Sequence, residues 1–137
     1  KLSPITGPIG LYYAYPILAR VSIVNQYGYP LYDKFVAPTE KVIDYRTAFS
    51  GVRPEDLVGA PEFKDVQAEV AELIKDRVLV GHAIHHDLKV LFLDHPKKMI
   101  RDTSKYKPFK AAFGGRTPGI NLLGKKIYSK VIKSQSL

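Results

Sequence analysis

The densest cluster of side chains that could do chemistry lies in residues 80–89, which read VGHAIHHDLK. A short apolar and β-branched run at residues 77–80 leads into it, and such a run predicts a fully buried strand ending at Gly81. Apolar residues recur at helical spacing from Leu88 onward, so we expect Asp87 in the first turn of a helix. Ligands in open α/β sheets bind at the carboxyl ends of strands, which makes Asp87 the first candidate for a site.

Asp87 also has an interpretation that requires no ligand. A carboxylate in a first helical turn is stabilised by the backbone N–H groups and by the helix dipole. Spacing alone does not choose between the two interpretations. His82, His85 and His86 are weaker candidates, because their spacing is not HExxH and the sequence has no cysteine to complete a zinc site.

The sequence around this cluster resembles a known family. Residues 80–88 are similar to the second exonuclease motif of the DEDDh 3′-to-5′ exonucleases, and several neighbouring blocks resemble the RNA exonuclease 4 branch. These blocks are residues 18–25, 31–34, 44–47, 50–52, 93–98 and 101–103. The resemblance covers residues 17–127, and it extends more distantly to the interferon-stimulated and apoptosis-enhancing exonucleases.

The resemblance implies a fold, an activity and a setting. The fold is a ribonuclease H-like exonuclease fold of the α/β class, with a mixed sheet flanked by helices. The activity is 3′-to-5′ exonuclease cleavage of RNA or DNA by two-metal phosphodiester hydrolysis, with Mg²⁺ or Mn²⁺ as the cofactor. The implied partners are single-stranded RNA or DNA 3′ ends, with protein partners unassigned, and the implied location is the nucleus or the nucleolus.

Only part of the family's catalytic set has a match in this sequence. Such enzymes are named for four metal-binding carboxylates and a histidine: an Asp-x-Glu pair, a second-motif Asp, and a late His and Asp. Asp87 matches the second motif, so the resemblance makes it the expected catalytic and metal-binding residue. The first acidic residue of the chain is Asp33, and the sequence reaches Leu137 without the third motif.

These departures predict an altered N-terminus, a missing C-terminal helix and poor metal binding. Mg²⁺ can be held through one or two carboxylates plus substrate phosphates, so Asp87 alone can hold one ion but hardly place two. Asp102 is no substitute, because its expected role is structural hydrogen bonding. We therefore expect an exonuclease-family domain that is inactive or incomplete as this chain. The alternative is a non-catalytic nucleic-acid or protein-binding module derived from such an exonuclease.

Arg46 is the strongest candidate for a nucleic-acid contact. A guanidinium on a loop suits a phosphate or a ribose, and the family places this motif near the substrate. An ion pair with Asp44 is the alternative interpretation. The segment from Ser50 resembles the family loop over the terminal nucleotide, where Gly51 permits close approach of the backbone. Ser50, Gly51 and His86 are the other expected nucleic-acid contacts.

Composition and charge fit a nucleic-acid partner. The chain has 137 residues, a formal net charge of +8 and 45% hydrophobic residues, which fits one folded domain. After Asp94 the only acid is Asp102, whereas the same stretch has eleven Lys and Arg residues interleaved with Tyr106, Phe109 and Phe113. Such a basic half predicts salt-dependent, sequence-independent nucleic-acid binding, with a solvated basic face as the alternative.

Hydrophobic periodicity predicts one α/β unit. The resemblance implies an exonuclease-like domain at residues 17–127, which leaves a divergent segment at 1–16 and a tail at 128–137. Strands are predicted at residues 17–25 and 31–36 as a hairpin, at 77–80 and at 99–103, and residues 9–15 as a substitute first strand. Helices are predicted at residues 54–58, from 61 with Phe63, Val66, Val70, Leu73 and Ile74 on one face, at 87–93 and at 120–127. Prolines and glycines interrupt the uncharged residues 2–19, so no membrane association is expected.

Overall fold

A computed structural model describes residues 2–6 through their backbone and residues 16–126 with their side chains. The chain divides into two compact units. The first unit consists of Lys1–Arg77 and His85–Pro96, and the second unit consists of Val78–Ile84 and Lys97–Leu137. Both helices and strands are present, so the α/β class expected from the sequence is confirmed.

The first unit contains an antiparallel sheet of three strands in the order β1-β2-β3. They are β1 (Leu2–Thr6), β2 (Pro16–Val24) and β3 (Pro30–Phe35). The predicted hairpin is confirmed, because β2 and β3 pair from Arg20↔Phe35 to Val24↔Pro30. The Asn25 side chain closes the turn by accepting backbone N–H groups of Tyr27 and Tyr29 at 2.9 and 3.0 Å. Such an Asx turn explains why a polar residue ends the apolar alternation.

The strand beside β2 comes from a segment that periodicity did not identify. Leu2–Thr6 pairs with β2 from Leu2↔Val21 to Thr6↔Pro16, with a register shift between Ser3 and Pro4. Residues 9–15, for which a substitute strand is predicted, lie outside the described residues. Backbone groups along this side of β2 are therefore paired, which removes the cost of leaving them unsatisfied.

Two helices of the first unit follow the predicted pattern. They are the 3₁₀ turn at Pro54–Leu57 and α2 (Phe63–Ile74), and a short helix that was not predicted, α1 (Thr47–Ser50), precedes them. Val66, Val70 and Ile74, four residues apart, are buried along one face of α2, as its periodicity predicts. On its exposed side Glu69 accepts hydrogen bonds from Tyr32 at 2.5 Å and from Lys34 at 2.8 Å, which ties α2 to β3.

The second unit is built on a parallel strand pair. β4 (Leu79–Gly81) pairs with β5 (Ile100–Asp102) from Leu79↔Ile100 to Gly81↔Asp102. The prediction of a fully buried strand here is wrong, because Val78 and Val80 are 54% and 66% exposed. In the described part of the chain β4 hydrogen-bonds to β5 alone, so neighbouring strands leave these side chains uncovered.

The remaining helices differ from the prediction in their bounds. α3 (Ile84–Val90) begins earlier than residue 87, although Asp87 still lies in its first turn as predicted. α4 (Lys107–Ala111) lies where no helix is predicted, and Pro108 near its start fits the first turn of a helix. α5, residues 120–126, matches the predicted last helix as far as the structure describes it. No helix in the described residues is both long and apolar enough for a membrane span.

Candidate nucleic-acid interface

The most strongly organised candidate site is a short loop in the first unit, residues 45–52, which we call the 45–52 loop. Arg46 occupies the left-handed backbone region at φ 47° and precedes α1, and Gly51 ends α1 at φ 71°. Asp44 accepts the Arg46 backbone N–H at 2.8 Å. A glycine tolerates such a conformation without strain, so Gly51 is suited to its position.

Two hydroxyl groups lock this loop from within. Thr47 donates its hydroxyl proton to the Val52 carbonyl at 2.7 Å. Ser50 donates to the Tyr45 carbonyl at 2.7 Å and accepts the Val52 backbone N–H at 3.0 Å. These side-chain hydrogen bonds connect the two ends of the 45–52 loop to residues inside it.

Apolar packing fixes the same loop to the sheet. Val52 is fully buried and belongs to a core cluster with Ile17, Ala19 and Leu57. Tyr45, at the other end of the loop, packs against that cluster. A loop fixed at both ends by core residues loses little conformational freedom when it binds a ligand, because that freedom is already lost on folding.

The loop presents a cation and an aromatic ring to solvent. The Arg46 guanidinium lies over the Phe49 ring, 5.6 Å from its centroid, and Phe49 is 81% exposed. Among the described residues no ion pair joins Arg46 to Asp44, whose carboxylate bonds to the backbone instead. Sequence reasoning missed Phe49, although an apolar ring in a polar loop beside an arginine was a signal that could have found it.

Ser50 and Gly51 have different places in this loop. The Ser50 hydroxyl is half-buried and already uses its proton inside the loop, so its geometry favours positioning the backbone. Gly51 is exposed, and a Cβ added there would meet nothing within 4 Å. The surface at Gly51 is therefore open to an approaching ligand.

Asp87 lies in the first turn of α3, whose inner face is apolar. Its side chain is half-buried, while Ile84 and Leu88 on α3 are buried. His85 and His86 are exposed, and their rings lie 3.8 Å apart at an angle of 40°. The first unit thus contains all five residues selected from the sequence: Arg46, Ser50, Gly51, His86 and Asp87.

The turn between β4 and α3 is held by a polar network in the second unit. Thr103 donates its hydroxyl proton to the Gly81 carbonyl at 3.0 Å. His82 Nδ1 lies 2.9 Å from the same hydroxyl oxygen, so that nitrogen must carry a proton and donate it. A Cβ on Gly81 would lie 2.9 Å from Ile84 Cγ1, so a larger residue there would require the Ile84 side chain to shift. His82 therefore helps to hold this turn, and one of its two ring nitrogens is already used there.

Asp102 completes the network, which confirms its predicted structural role. Its Oδ1 accepts the Ala83 backbone N–H at 2.9 Å, the Ser104 backbone N–H at 2.9 Å and the Ser104 hydroxyl at 2.7 Å. Partial burial raises the pKa of Asp102, but these hydrogen bonds and the charge of Lys105 outweigh it and hold the pKa below 3.8. The bonds also fix Ala83, which lies in the left-handed region at φ 56°.

Replacing Asp102 by alanine is expected to lower the free energy of unfolding by about 1–3 kcal/mol at pH 7, because three donors lose their acceptor. Since the folded-state pKa is depressed, the carboxylate stabilises the fold above its ordinary pKa of 3.8, and this stability is lost as the pH falls through the folded value. Urea unfolding at pH 7 and at acidic pH measures both effects. Asp102→Asn, which retains an acceptor oxygen, is the control, and equal stability of Asp102→Ala and the unaltered chain at pH 7 would contradict the assignment.

Comparison with known proteins places this chain in a family. A family profile described as exonuclease matches residues 14–123. The chain belongs to the exonuclease family. RNA exonuclease 4 of Xenopus tropicalis is 59% identical over 118 residues, 86% of this chain, and RNA exonuclease 4 of Homo sapiens is 65% identical over 109 residues, 80% of this chain. The exonuclease-family chain lies in the RNA exonuclease 4 branch, as the sequence indicates.

The exonuclease-family chain spans only 28% and 26% of the length of these two relatives. Solved structures agree on the fold. The apo Pan2 pseudoubiquitin hydrolase–RNA exonuclease module of Saccharomyces cerevisiae matches with a TM-score of 0.66 and 26% identity, over 85% of this chain and 23% of that chain. The module in complex with AAUUAA RNA matches with a TM-score of 0.64 and 27% identity, over 76% of this chain and 20% of that chain. The ribonuclease H-like exonuclease fold is confirmed.

Exonucleases of this family use divalent metal ions. A two-metal centre needs several carboxylate oxygens to hold ions about 3.5–4 Å apart. In residues 2–6 and 16–126 no group of three or more His, Cys, Asp or Glu side chains could hold a metal ion. The described residues therefore do not fit a two-metal centre, and Asp87 is the one residue matched to the family's set.

Proposed function

We propose that this chain binds the 3′ ends of single-stranded RNA through the 45–52 loop, and that residues 1–137 alone do not hydrolyse it. The function of its family, removal of nucleotides from RNA 3′ ends, supplies the substrate class. The observation that carries the proposal is the loop itself, which is internally locked and presents Arg46 and Phe49 to solvent. RNA takes precedence over DNA, because the most similar relatives described above are named RNA exonucleases.

The chemistry of the loop suits the end of an RNA strand. A guanidinium can donate paired hydrogen bonds to a phosphate or to ribose hydroxyls. An exposed aromatic ring provides a face on which a base stacks. Gly51 has no side chain and open space around it, so a nucleotide can approach its backbone closely. Together these groups supply a charge contact, a stacking contact and room for close approach.

The absence of cleavage is proposed on the acids that this polypeptide contains. Asp33 is its first acidic residue, so no Asp-x-Glu pair precedes it. One carboxylate at Asp87 with Mg²⁺ or Mn²⁺ is compatible with weak binding of one ion, which neither positions the attacking water nor stabilises the leaving oxygen. The polypeptide then acts as a binding module derived from an exonuclease. This agrees with the alternative predicted from the sequence, a non-catalytic nucleic-acid or protein-binding module. A nuclear or nucleolar location stays a prediction.

Binding to RNA with and without a 3′ end tests the proposal. Fluorescence anisotropy compares a linear single-stranded RNA with a circular RNA of the same sequence, each titrated with the unaltered chain. One charge-assisted contact that forms only at the end predicts about tenfold tighter binding of the linear RNA. A linear RNA blocked by a 3′-terminal protein-sized adduct is the control and should behave as the circle does. Equal affinity for all three would overturn the proposal.

A further inference from the structure

Positive charge is concentrated in the second unit. That unit has eleven Lys and Arg residues against one acid, a formal charge of +10, whereas the whole chain carries +8. The densest part is residues 105–126, which we call the basic segment. It contains six cations and no acid: Lys105, Lys107, Lys110, Arg116, Lys125 and Lys126. The first unit is slightly acidic by the same count, so the asymmetry is between the units.

The one acid of the second unit does not offset these cations. Asp102 directs its Oδ1 to Ala83 and Ser104, where it serves the turn before α3. Lys105 is the only cation of the basic segment whose charge influences its pKa. Both ion pairs found among the described residues, Arg20–Asp33 and Lys34–Glu69, lie in the first unit. Lys105, Lys107, Lys110, Arg116 and Lys125 of the basic segment take part in neither ion pair.

Aromatic rings are interleaved with these cations. Tyr106 is 54% exposed and contacts Phe109 edge to face, with ring centroids 4.9 Å apart. The Lys126 ammonium lies 4.4 Å from the centre of the Phe113 ring and donates to the Ala112 carbonyl, which joins α5 to the end of α4. These contacts order parts of the basic segment, because they join Tyr106 to Phe109 and α5 to the end of α4.

We infer that the basic segment is a second RNA-binding surface, which holds the phosphate backbone of a strand regardless of where the strand ends. The inference rests on the proposed function only in taking RNA as the polyanion. Cations with interleaved aromatic rings are the combination that binds single-stranded nucleic acid without sequence preference. RNA is taken as the polyanion because the relatives described above are named RNA exonucleases.

This surface makes a quantitative prediction about salt. For single-stranded nucleic acid the slope of log K against log salt concentration is about −0.7 for each phosphate neutralised. Removing three cations that contact phosphates should therefore make the slope shallower by about 2. Because the contacts are to the backbone, circular and linear RNA should show the same change.

The experiment uses the full chain and a circular single-stranded RNA, titrated by anisotropy between low and moderate salt. The test variant replaces the exposed Lys105, Lys107 and Lys125 by alanine. The matched control replaces three exposed lysines of the first unit, Lys41, Lys64 and Lys75, which removes the same total charge. A Lys→Arg version of the test variant keeps the charge and should keep the slope. Circular dichroism establishes that each variant is folded.

A shallower slope in the test variant, with the control and the arginine version unchanged, is the expected result. An unchanged slope in the test variant, or an equal loss in the control, would overturn the inference. Loss of binding to phosphatidylserine vesicles by the test variant, with an unchanged RNA slope, would also overturn the inference. The surface would then bind a membrane and not RNA. Failure of the proposed function has a different signature, since it equalises linear and circular RNA without altering either slope.

Discussion

Residues 1–137 incubated with Mg²⁺ or Mn²⁺ are expected to leave a 3′-labelled single-stranded RNA uncut, at a rate at least about 10⁴-fold below that of a complete two-metal site. A missing general base alone costs about 10²- to 10⁴-fold, and loss of the metal pair costs more. The described residues contain no cluster of three metal-ligating side chains, and no acid precedes Asp33. Nothing in this set replaces the family's remaining carboxylates.

Gel analysis of the labelled RNA over several hours measures this, with an active exonuclease in a parallel reaction to show that the RNA is a competent substrate. Asp87→Ala is the matched variant, and it should give the same flat time course as the unaltered chain. Metal-dependent shortening that disappears in Asp87→Ala would show that other residues of this polypeptide complete the site. Shortening that persists in Asp87→Ala would identify a contaminating nuclease.

Replacing Arg46 by alanine is expected to weaken binding of linear single-stranded RNA about tenfold, because the variant loses the hydrogen-bonded charge that favours a strand with an end. The guanidinium lies over the Phe49 ring and has no ion pair among the described residues, so the substitution removes a ligand contact and little internal structure. Circular RNA should lose much less, since it has no end for the 45–52 loop to hold. Anisotropy on both RNAs measures the difference.

Two further variants separate charge from shape at this position. Arg46→Lys keeps the charge but not the planar fork, so it should recover only part of the affinity. Arg77→Ala, at an exposed arginine of the same unit, removes the same charge away from the 45–52 loop and should leave the preference for linear RNA intact. Equal losses in Arg46→Ala and Arg77→Ala would reduce the role of Arg46 to general electrostatics.

Local patterns predicted much of the fold because the determinants are local. Alternating apolar residues and the turn at Asn25 determine the β2–β3 hairpin, and the four-residue spacing of Val66, Val70 and Ile74 determines the inner face of α2. β1 was missed because Pro4 interrupts its pattern, and its strand character depends on pairing with β2. Exposure of Val80 was also missed, since an apolar run does not reveal how many strands will flank it.

Some features of the candidate site could also be predicted from residue spacing, whereas others depend on contacts that only the structure shows. Asp87 was correctly predicted in a first helical turn, and Asp102 in a structural role, because each depends on near neighbours. Only the structure could choose between a nucleic-acid contact and an ion pair with Asp44 for Arg46, because it shows the Asp44 carboxylate bonded to the backbone. Phe49 was overlooked because an aromatic residue in a sequence is more often core than surface. Whether any of these residues contacts RNA stays a prediction.

The 45–52 loop and the basic segment divide the recognition of RNA into two parts with different responses to salt. Contacts of the basic segment weaken steeply as salt rises, whereas stacking and paired hydrogen bonds at the loop weaken less. The preference for a strand with an end should therefore persist at higher ionic strength. A protein that binds RNA by charge alone would show no such preference for linear RNA.

The ratio of affinities for linear and circular RNA, measured across a salt series with the unaltered chain, tests the central claim most directly. We expect a preference of about tenfold for the linear RNA that persists as salt rises. A ratio of one at every salt concentration would contradict it, and would show that this chain binds RNA by charge alone and recognises no 3′ end.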